Sequence, residues 1–497
     1  MNNKKNAISS IILQLATIVQ GLILPRLILS AFGSETNGLI SSVTQFLSFI
    51  SLLEGGLGAV VLAELYAPIE KEDEVKVRSI LIACQNFFNK LAMAFVIYTI
   101  VLTFAYPIFI VKSFSFEFTS SMVIILSLTT LIQYLFSITY KLYLQANQKL
   151  YIVNLVSTAT IILNTISAIV IILVYPEIHV VKLVSGIIYL LQPVILKHFI
   201  EKKYQLQTIS RKELRKEASK STALRNRWSG FSQNLAHFIN MNTDVALLTV
   251  FSSLGSVSVY TVYMLAINAL KGIITSIGNS YQSALGKYIA EEKIDKLKTN
   301  FSQFENFFWF IGTVSFGTCY ILINSFVSIY TAGIHDANYY QPVFAVIITF
   351  ANMIYVIREP YRLLILAAGK FKETNFGSIA EALINLTISM LLIRKFGLIG
   401  VAIGTFVAIT YRLVYFIWYL KRDILFRKIS SYVHNALSSI VTILCDAVIL
   451  VKFPINADNF IAFGVIGVIC VCFNAIIFTG IHFLLERVSA FFLKEKC

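Results

Sequence analysis

Residues 257–285 read VSVYTVYMLAINALKGIITSIGNSYQSAL, twenty-nine residues carrying a single charge, Lys271. A helix of about 20 mainly apolar residues crosses a bilayer, so this stretch spans one with residues to spare. Its polar groups are ordered. Asn268, Lys271, Thr275 and Gln282 fall at steps of 3, 4 and 7, which places them on one helix face. An ionised side chain at mid-membrane costs about 3 kcal/mol or more on insertion scales, and it normally faces a bundle interior or a watery cavity. The segment therefore predicts a membrane helix with one face turned away from lipid.

The rest of the chain agrees. Of its 497 residues 57% are hydrophobic and 13% charged, against about a quarter charged in soluble proteins. Mean hydropathy is +0.76. A water-soluble fold cannot hide that much apolar surface, which excludes a soluble enzyme. The same length criterion selects fourteen segments: 7–31, 37–65, 81–111, 119–144, 151–175, 181–200, 229–253, 257–285, 301–330, 341–367, 376–394, 398–420, 431–452 and 460–485. The predicted fold is all-α and polytopic, with about fourteen spans and both termini on one side.

Charge sets the direction. There are 41 Lys and Arg against 26 Asp and Glu, a formal net charge of +15. With both termini cytosolic, 35 of the 41 basic residues fall in cytosolic loops or cytosolic helix halves, as the positive-inside tendency requires. The exceptions are Arg26, Lys112, Lys182, Arg394, Lys395 and Lys452. The basic excess therefore argues for membrane topology and against nucleic acid. Its densest part, 201–228, includes Arg211, Lys212, Arg215, Lys216, Arg225 and Arg227 and separates spans 1–6 from spans 7–12. It reads as a cytosolic linker or an amphipathic helix on the anionic inner leaflet. The predicted division is a lobe over 1–200, the linker, a second lobe over 229–425, and two last spans with a tail over 426–497.

Several chemistries have no motif here. Six scattered cysteines include no CxxC or zinc spacing. The six histidines form no HExxH, and no phosphate-binding G-x-x-x-x-G-K-[ST] occurs. Short outer loops argue against a membrane glycosyltransferase. No cofactor or metal is expected. Neither is a cleaved signal peptide, because the first apolar run is too long and lacks a small-residue cleavage site.

Polar stripes recur inside the spans. Thr130, Gln133, Ser137 and Tyr140 share a face, as do Thr160, Asn164 and Ser167. So do Asn234, His237, Met241 and Asp244, and likewise Ser378, Glu381, Asn385 and Ser389; Thr405 and Arg412 mark the twelfth span. Single Ser, Thr and Asn residues also serve as hydrogen-bond glue between helices. Charges argue for a hydrated cavity. The cations are Arg26, Lys271, Arg358, Arg362 and Arg412, suited to a phosphate or pyrophosphate that guanidinium grips in bidentate fashion. Snorkelling to the interface is the competing reading for Arg26, Arg362 and Arg412. Pro360, between Arg358 and Arg362, should break its helix. Asp244, Glu381, Asn385 and Thr405 supply oxygens for a coupling Na+ or H+; internal salt bridging is the alternative. The glycines of Glu54-Gly55-Gly56-Leu57-Gly58 and of Gly400-xxx-Gly404 allow close backbone approach.

Three segments carry a family resemblance. Phe32-Gly33-Ser34-Glu35-Thr36-Asn37-Gly38-Leu39 is similar to an F-G-x-x-x-x-G-L/Y junction. Asn242-Thr243-Asp244-Val245-Ala246-Leu247-Leu248 with Gly255 and Val259-Tyr260 resembles that family's span 7–8 region. Ala368-Gly369-Lys370, then Glu381 and Asn385, then Gly397-Leu398-Ile399-Gly400-Val401-Ala402-Ile403-Gly404-Thr405 resembles its span 10–12 region. The family is the polysaccharide transporters, or Wzx-type flippases, in the superfamily that includes multidrug exporters and lipid II flippases. The resemblance implies two pseudo-symmetric six-helix lobes in a V around a cavity, with two helices appended. It implies alternating access in the bacterial cytoplasmic membrane. The cargo would be undecaprenyl-pyrophosphate-linked oligosaccharide, as for capsule, exopolysaccharide, O-antigen or teichoic acid. Membrane lipids, a polymerase and other glycan-assembly proteins are the implied partners. Lys271, Arg358 and Arg412 would meet the pyrophosphate, and the polar stripes the sugars. A drug or cation exporter of the same superfamily and a non-transporting lipid-binding scaffold are the competing classes.

Overall fold

The computed structural model describes residues 2–54, 57–111, 113–204, 231–291, 293–370, 373–425, 430–452, 457 and 459–494. All regular structure among them is helical. In chain order the helices are α1 (Asn2–Ser48), α2 (Leu57–Glu70), α3 (Glu74–Ala105), α4 (Phe116–Ile132), α5 (Ile138–Ala146), α6 (Leu150–Val174), α7 (Ile178–Tyr204) and α8 (Phe231–Phe251). There follow α9 (Leu254–Ala290), α10 (Ile294–Tyr330), α11 (Pro342–Ile357), α12 (Glu359–Ala367), α13 (Asn375–Phe396), α14 (Leu398–Leu420), α15 (Ser430–Lys452) and α16 (Phe460–Lys494).

Twelve helical stretches among the described residues are long and apolar enough to cross a membrane. The chain is a multi-pass membrane protein. Leu173, Val174, Leu391, Val451 and Ile461 are 73–85% exposed, an apolar surface that only lipid would cover. Two expected spans fall short of the length test. Segment 37–65 is divided: its first part continues α1, Phe49–Glu54 tightens to a 3-10 turn, and α2 starts at Leu57. Three glycines within four residues, Gly55, Gly56 and Gly58, each weaken a helix by about 1 kcal/mol relative to alanine. Segment 229–253 is α8 (Phe231–Phe251), of which the stretch Asn242–Phe251 is a shorter apolar helix among the described residues. With these two included, the helices follow the fourteen expected segments in order.

The described chain forms two compact units. The first comprises residues 1–238 and 253–258; the second comprises 239–252 and 259–497. In the first, α1 packs on α6 and α4, α3 on α4, and α7 on α4 and α6. Phe88, Phe95, Tyr106, Leu39 and Val43 fill its core. In the second, α14 packs on α13 and α11, while α10 carries α11, α15 and α16.

Glycine positions explain the junction motifs. Gly33 has φ 81° and ψ 174°, a geometry side chains avoid, and it breaks α1 into two helical segments. A Cβ placed on Gly38 would collide with the Leu254 carbonyl, so the start of α9 lies directly on the α1 backbone. Beside that contact, Asn37 Nδ2 donates to Ser258 Oγ at 2.9 Å. The Gly400 and Gly404 pair does the same for α13 and α14. A Cβ on Gly400 would lie 2.7 Å from the Leu392 carbonyl, and one on Gly404 would lie 3.0 Å from the Asn385 oxygen. Pro360 acts as expected, since α11 stops at Ile357 and α12 begins at Glu359. The basic stretch 205–230 lies outside the described residues.

Candidate functional site

The charged residues of the second unit converge where α11 breaks. Arg358 sits in the break itself, 5% exposed. Its guanidinium pairs with Glu381 of α13 and lies 4.4 Å from the centre of the Tyr355 ring. Glu381 also receives Arg412 of α14, whose Nε is 3.5 Å from Oε2. Arg412 donates further to Ser378 Oγ and to the Thr374 carbonyl at 3.2 Å, and it lies 4.2 Å over Phe416. Gly377 makes the room, because a Cβ there would strike the Arg412 guanidinium and come within 2.6 Å of Tyr415. One carboxylate thus serves two buried guanidiniums.

Arg362, one turn into α12, is held by Glu359, with Nε donating to Oε2 at 2.9 Å. Lys271 on α9 is the exception. Its ammonium donates to Asn352 Oδ1 at 3.2 Å and sits 4.9 Å from the Tyr355 ring centre. Among the described residues no carboxylate lies within ion-pair distance of it. Tyr355 therefore presents its ring to two cations, a favourable use of the aromatic face. Lys271, Arg358, Arg362 and Arg412 against Glu359 and Glu381 leave two positive charges in this group, one of them attracted by Asp244, which acts on Lys271 without an ion-pair contact. Burial of uncompensated charge is expensive, so the arrangement is suited to an anionic ligand.

A second group lies among α8, α9, α13 and α14. Asp244, 3% exposed, accepts from Tyr260 Oη and Thr405 Oγ1, both at 2.9 Å on Oδ2. Its Oδ1 is buried with no hydrogen-bond partner among the described residues. Asn385 Nδ2 donates to Thr405 Oγ1 at 3.4 Å, and Asn385 Oδ1 accepts from Ser389 at 3.2 Å. The structure therefore brings together three of the four residues expected to hold a coupling cation. It assigns Glu381, one turn from Asn385 on α13, to the arginines.

The remaining expectations divide. Asn268 is exposed, and Thr275 spends its hydroxyl on the Lys271 carbonyl at 2.8 Å; of the three described members of the stripe on α9, Lys271 alone reaches the charged group. Gln133 is exposed at the end of α4. Asn164 is buried on α6, its Oδ1 without a partner among the described residues. Arg26 follows Pro25 in α1 and belongs to the first unit. The side chains of Asn234, His237 and Gln282 lie outside the described residues.

Sequence reading missed the aromatic and amide partners. Asn352, Tyr355 and Arg358 recur every three residues on α11, a spacing that puts them together. It also missed the polar seam on α10. Asn306 Oδ1 accepts from Asn435 at 2.8 Å, and the hydroxyls of Thr313 and Ser439 are 2.7 Å apart. The Asn474 amide donates to Asp446 Oδ1 at 2.7 Å and accepts from the Thr318 N–H at 3.2 Å. Asp446 is fully buried.

No protein-family model and no curated protein matches the sequence. Solved structures match its fold. The lipid II flippase MurJ, in an inward closed conformation, aligns with a TM-score of 0.72 and 16% identity over 97% of this chain and 99% of that one. An inward-facing multidrug resistance MATE family transporter of the MOP superfamily aligns at 0.58, with 14% identity over 81% of this chain and 94% of its own. A MOP superfamily transporter from Pyrococcus furiosus, described as having a binding pocket of reverse polarity, aligns at 0.56 with 16% identity over 85% and 97%. At such identities the likeness concerns the fold, which by itself does not name a cargo.

Proposed function

We propose that the chain is a flippase for undecaprenyl-pyrophosphate-linked oligosaccharide repeat units. It moves them from the inner to the outer leaflet of the bacterial cytoplasmic membrane by alternating access, with both termini cytosolic. The observation that carries this reading is the net positive cluster on α9, α11, α12 and α14. Lys271 meets no carboxylate among the described residues, and Arg358 and Arg412 share one. A pyrophosphate provides the missing negative charge, and its oxygens suit the planar donors of arginine. An organic cation would be repelled by the same residues, which weighs against a drug exporter. The near end-to-end fold likeness to a protein named as a lipid II flippase supports a lipid-linked cargo.

The geometry supplies a way for binding to move helices. An anionic headgroup competes with Glu381 for Arg358 and Arg412. Arg358 lies within the break enforced by Pro360, so a change in its partner acts on the α11–α12 joint, where a helix bends most readily. Asp244 is the natural coupling point. Its open Oδ1, with Thr405 and Asn385 alongside, offers the oxygen ligands that Na+ requires or a carboxylate to protonate.

Depletion of the protein in its host tests the reading. Lipid-linked glycan should accumulate in the inner leaflet while surface glycan falls. Intact surface glycan with raised drug sensitivity would overturn the flippase reading in favour of an exporter.

A further inference from the structure

The joint between α10 and α11, residues 331–341, encloses a cleft of about 410 Å3, within the roughly 300–1,000 Å3 typical of small-ligand sites. It lies apart in sequence from the charged cluster, and its lining is of another kind. Asn324 and Ser328 come from the end of α10, and Thr331, His335, Asn338 and Tyr340 from the joint. No Lys, Arg, Asp or Glu lines it among the described residues.

The cleft is held open by the fold. Tyr263, fully buried on α9, donates its hydroxyl to the Tyr339 carbonyl at 2.9 Å and accepts from the Gln341 N–H at 3.0 Å. This ties the α11 end of the joint to α9. Gly333, at φ +80°, turns the chain where a side chain would be strained. Much of the hydrogen-bonding capacity of the lining is left unspent. Asn338 Oδ1 accepts from the Tyr340 N–H at 3.1 Å, but its amide nitrogen makes no bond among the described residues. The Ser328 hydroxyl and the His335 ring are likewise uncommitted, and Tyr340 is 67% exposed at the rim. A fixed cup of neutral amides and hydroxyls beside an exposed aromatic face matches a polyhydroxylated ring, whose hydroxyls pair with the polar groups and whose C–H face packs on tyrosine.

We propose that this cleft is a carbohydrate subsite that takes one or two neutral sugar rings of the cargo on the outer side of the membrane. The proposal rests on the flippase reading for its cargo and orientation; the joint, TAGIHDANYYQ, contains no Lys or Arg, as an outer loop should. Lipid headgroups are a poor match, since no cation lines the cup to meet a phosphate.

The test is saturation-transfer NMR on the full-length protein in nanodiscs. The neutral probes are maltose, lactose, N,N′-diacetylchitobiose and the glycan freed by mild acid from the host's own lipid-linked pool. Inorganic phosphate and glucose 6-phosphate are the charged controls. At least one neutral saccharide should show transfer. The double variant Asn338→Ala with Tyr340→Ala should weaken it about tenfold, the scale of one lost hydrogen bond and one ring contact. Both side chains are exposed, so an unchanged melting temperature will show that the variant is folded. The subsite is overturned if no neutral saccharide binds, if the variant binds as wild type, or if only phosphate-bearing probes bind. The flippase reading fails separately, through absence of lipid-linked glycan after depletion.

Discussion

The two units hold their helices together by different chemistry. In the first, neutral groups make the buried bonds that join helices at several points. Tyr106 Oη donates to Ser42 Oγ at 2.7 Å, Asn154 Nδ2 donates to Ser9 and Ser10 at 3.0 and 2.8 Å, and Ser120 reaches the Thr103 carbonyl at 2.9 Å. In the second, ions are added to neutral bonds such as Asn435 on Asn306: Arg358 and Arg412 meet Glu381, and Asp244 meets Thr405 and Tyr260. Neutral pairs suffice to fix helices in a membrane, at about 0.6 kcal/mol each. Buried ions are not needed for that purpose and are costly to desolvate. Under the proposed function, this concentration of ions is what an anionic cargo would meet.

The largest effect should come from Glu381→Ala. It strands two buried guanidiniums against each other, and removal of one member of a buried ionic group costs about 3–5 kcal/mol. The variant should lose much of its thermal stability in detergent as well as its transport. A melting temperature equal to wild type would mean that the second unit's ions are as dispensable as the first unit's amides, and the contrast would be broken. Lys271→Ala should separate the two losses. Lys271 has an amide and a ring for direct partners, so its removal breaks no ion pair among the described residues. Folded yield should stay near wild type while glycan export stops. Full export would remove Lys271 from the substrate site.

Asp244→Asn sharpens the picture further. It preserves shape and a hydrogen-bond acceptor for Tyr260 and Thr405 but removes the charge. If Asp244 is the coupling group, export should fall about tenfold, equivalent to 1.4 kcal/mol, and lose its dependence on the Na+ or H+ gradient. Export and ion dependence both equal to wild type would sink the coupling role.

These contrasts were only partly legible in the sequence. Span length, Pro360 and the Gly400–Gly404 pair follow from local rules, and the structure uses each as the rules require. The division of 37–65 was not foreseen, because mean hydropathy does not register a helix weakened by three close glycines. Helical spacing placed Glu381, Asn385 and Ser389 on one face, yet it could not say that Glu381 turns to arginines while Asn385 turns to Thr405. That choice depends on how α13 is rotated against α14 and on the space left by Gly377, both long-range facts. Asp446 was passed over for a related reason. One carboxylate in an apolar run reads as an isolated cost until Asn474, twenty-eight residues on, is seen to satisfy it.

Tyr106→Phe is the smallest effect and the closest control. Tyr106 is fully buried, and its ring packs on Phe46 at 5.4 Å between centres. Phenylalanine keeps that packing and deletes only the hydroxyl that meets Ser42. The serine hydroxyl left behind can turn to a carbonyl one helical turn back, as many do in this chain. The loss should therefore be near 0.6 kcal/mol, the average for such bonds in membranes, with export unchanged. A loss of several kcal/mol, or a drop in export with the fold intact, would place a working group in the first unit and erase the distinction between a unit that is braced by neutral bonds and one that is charged for its task.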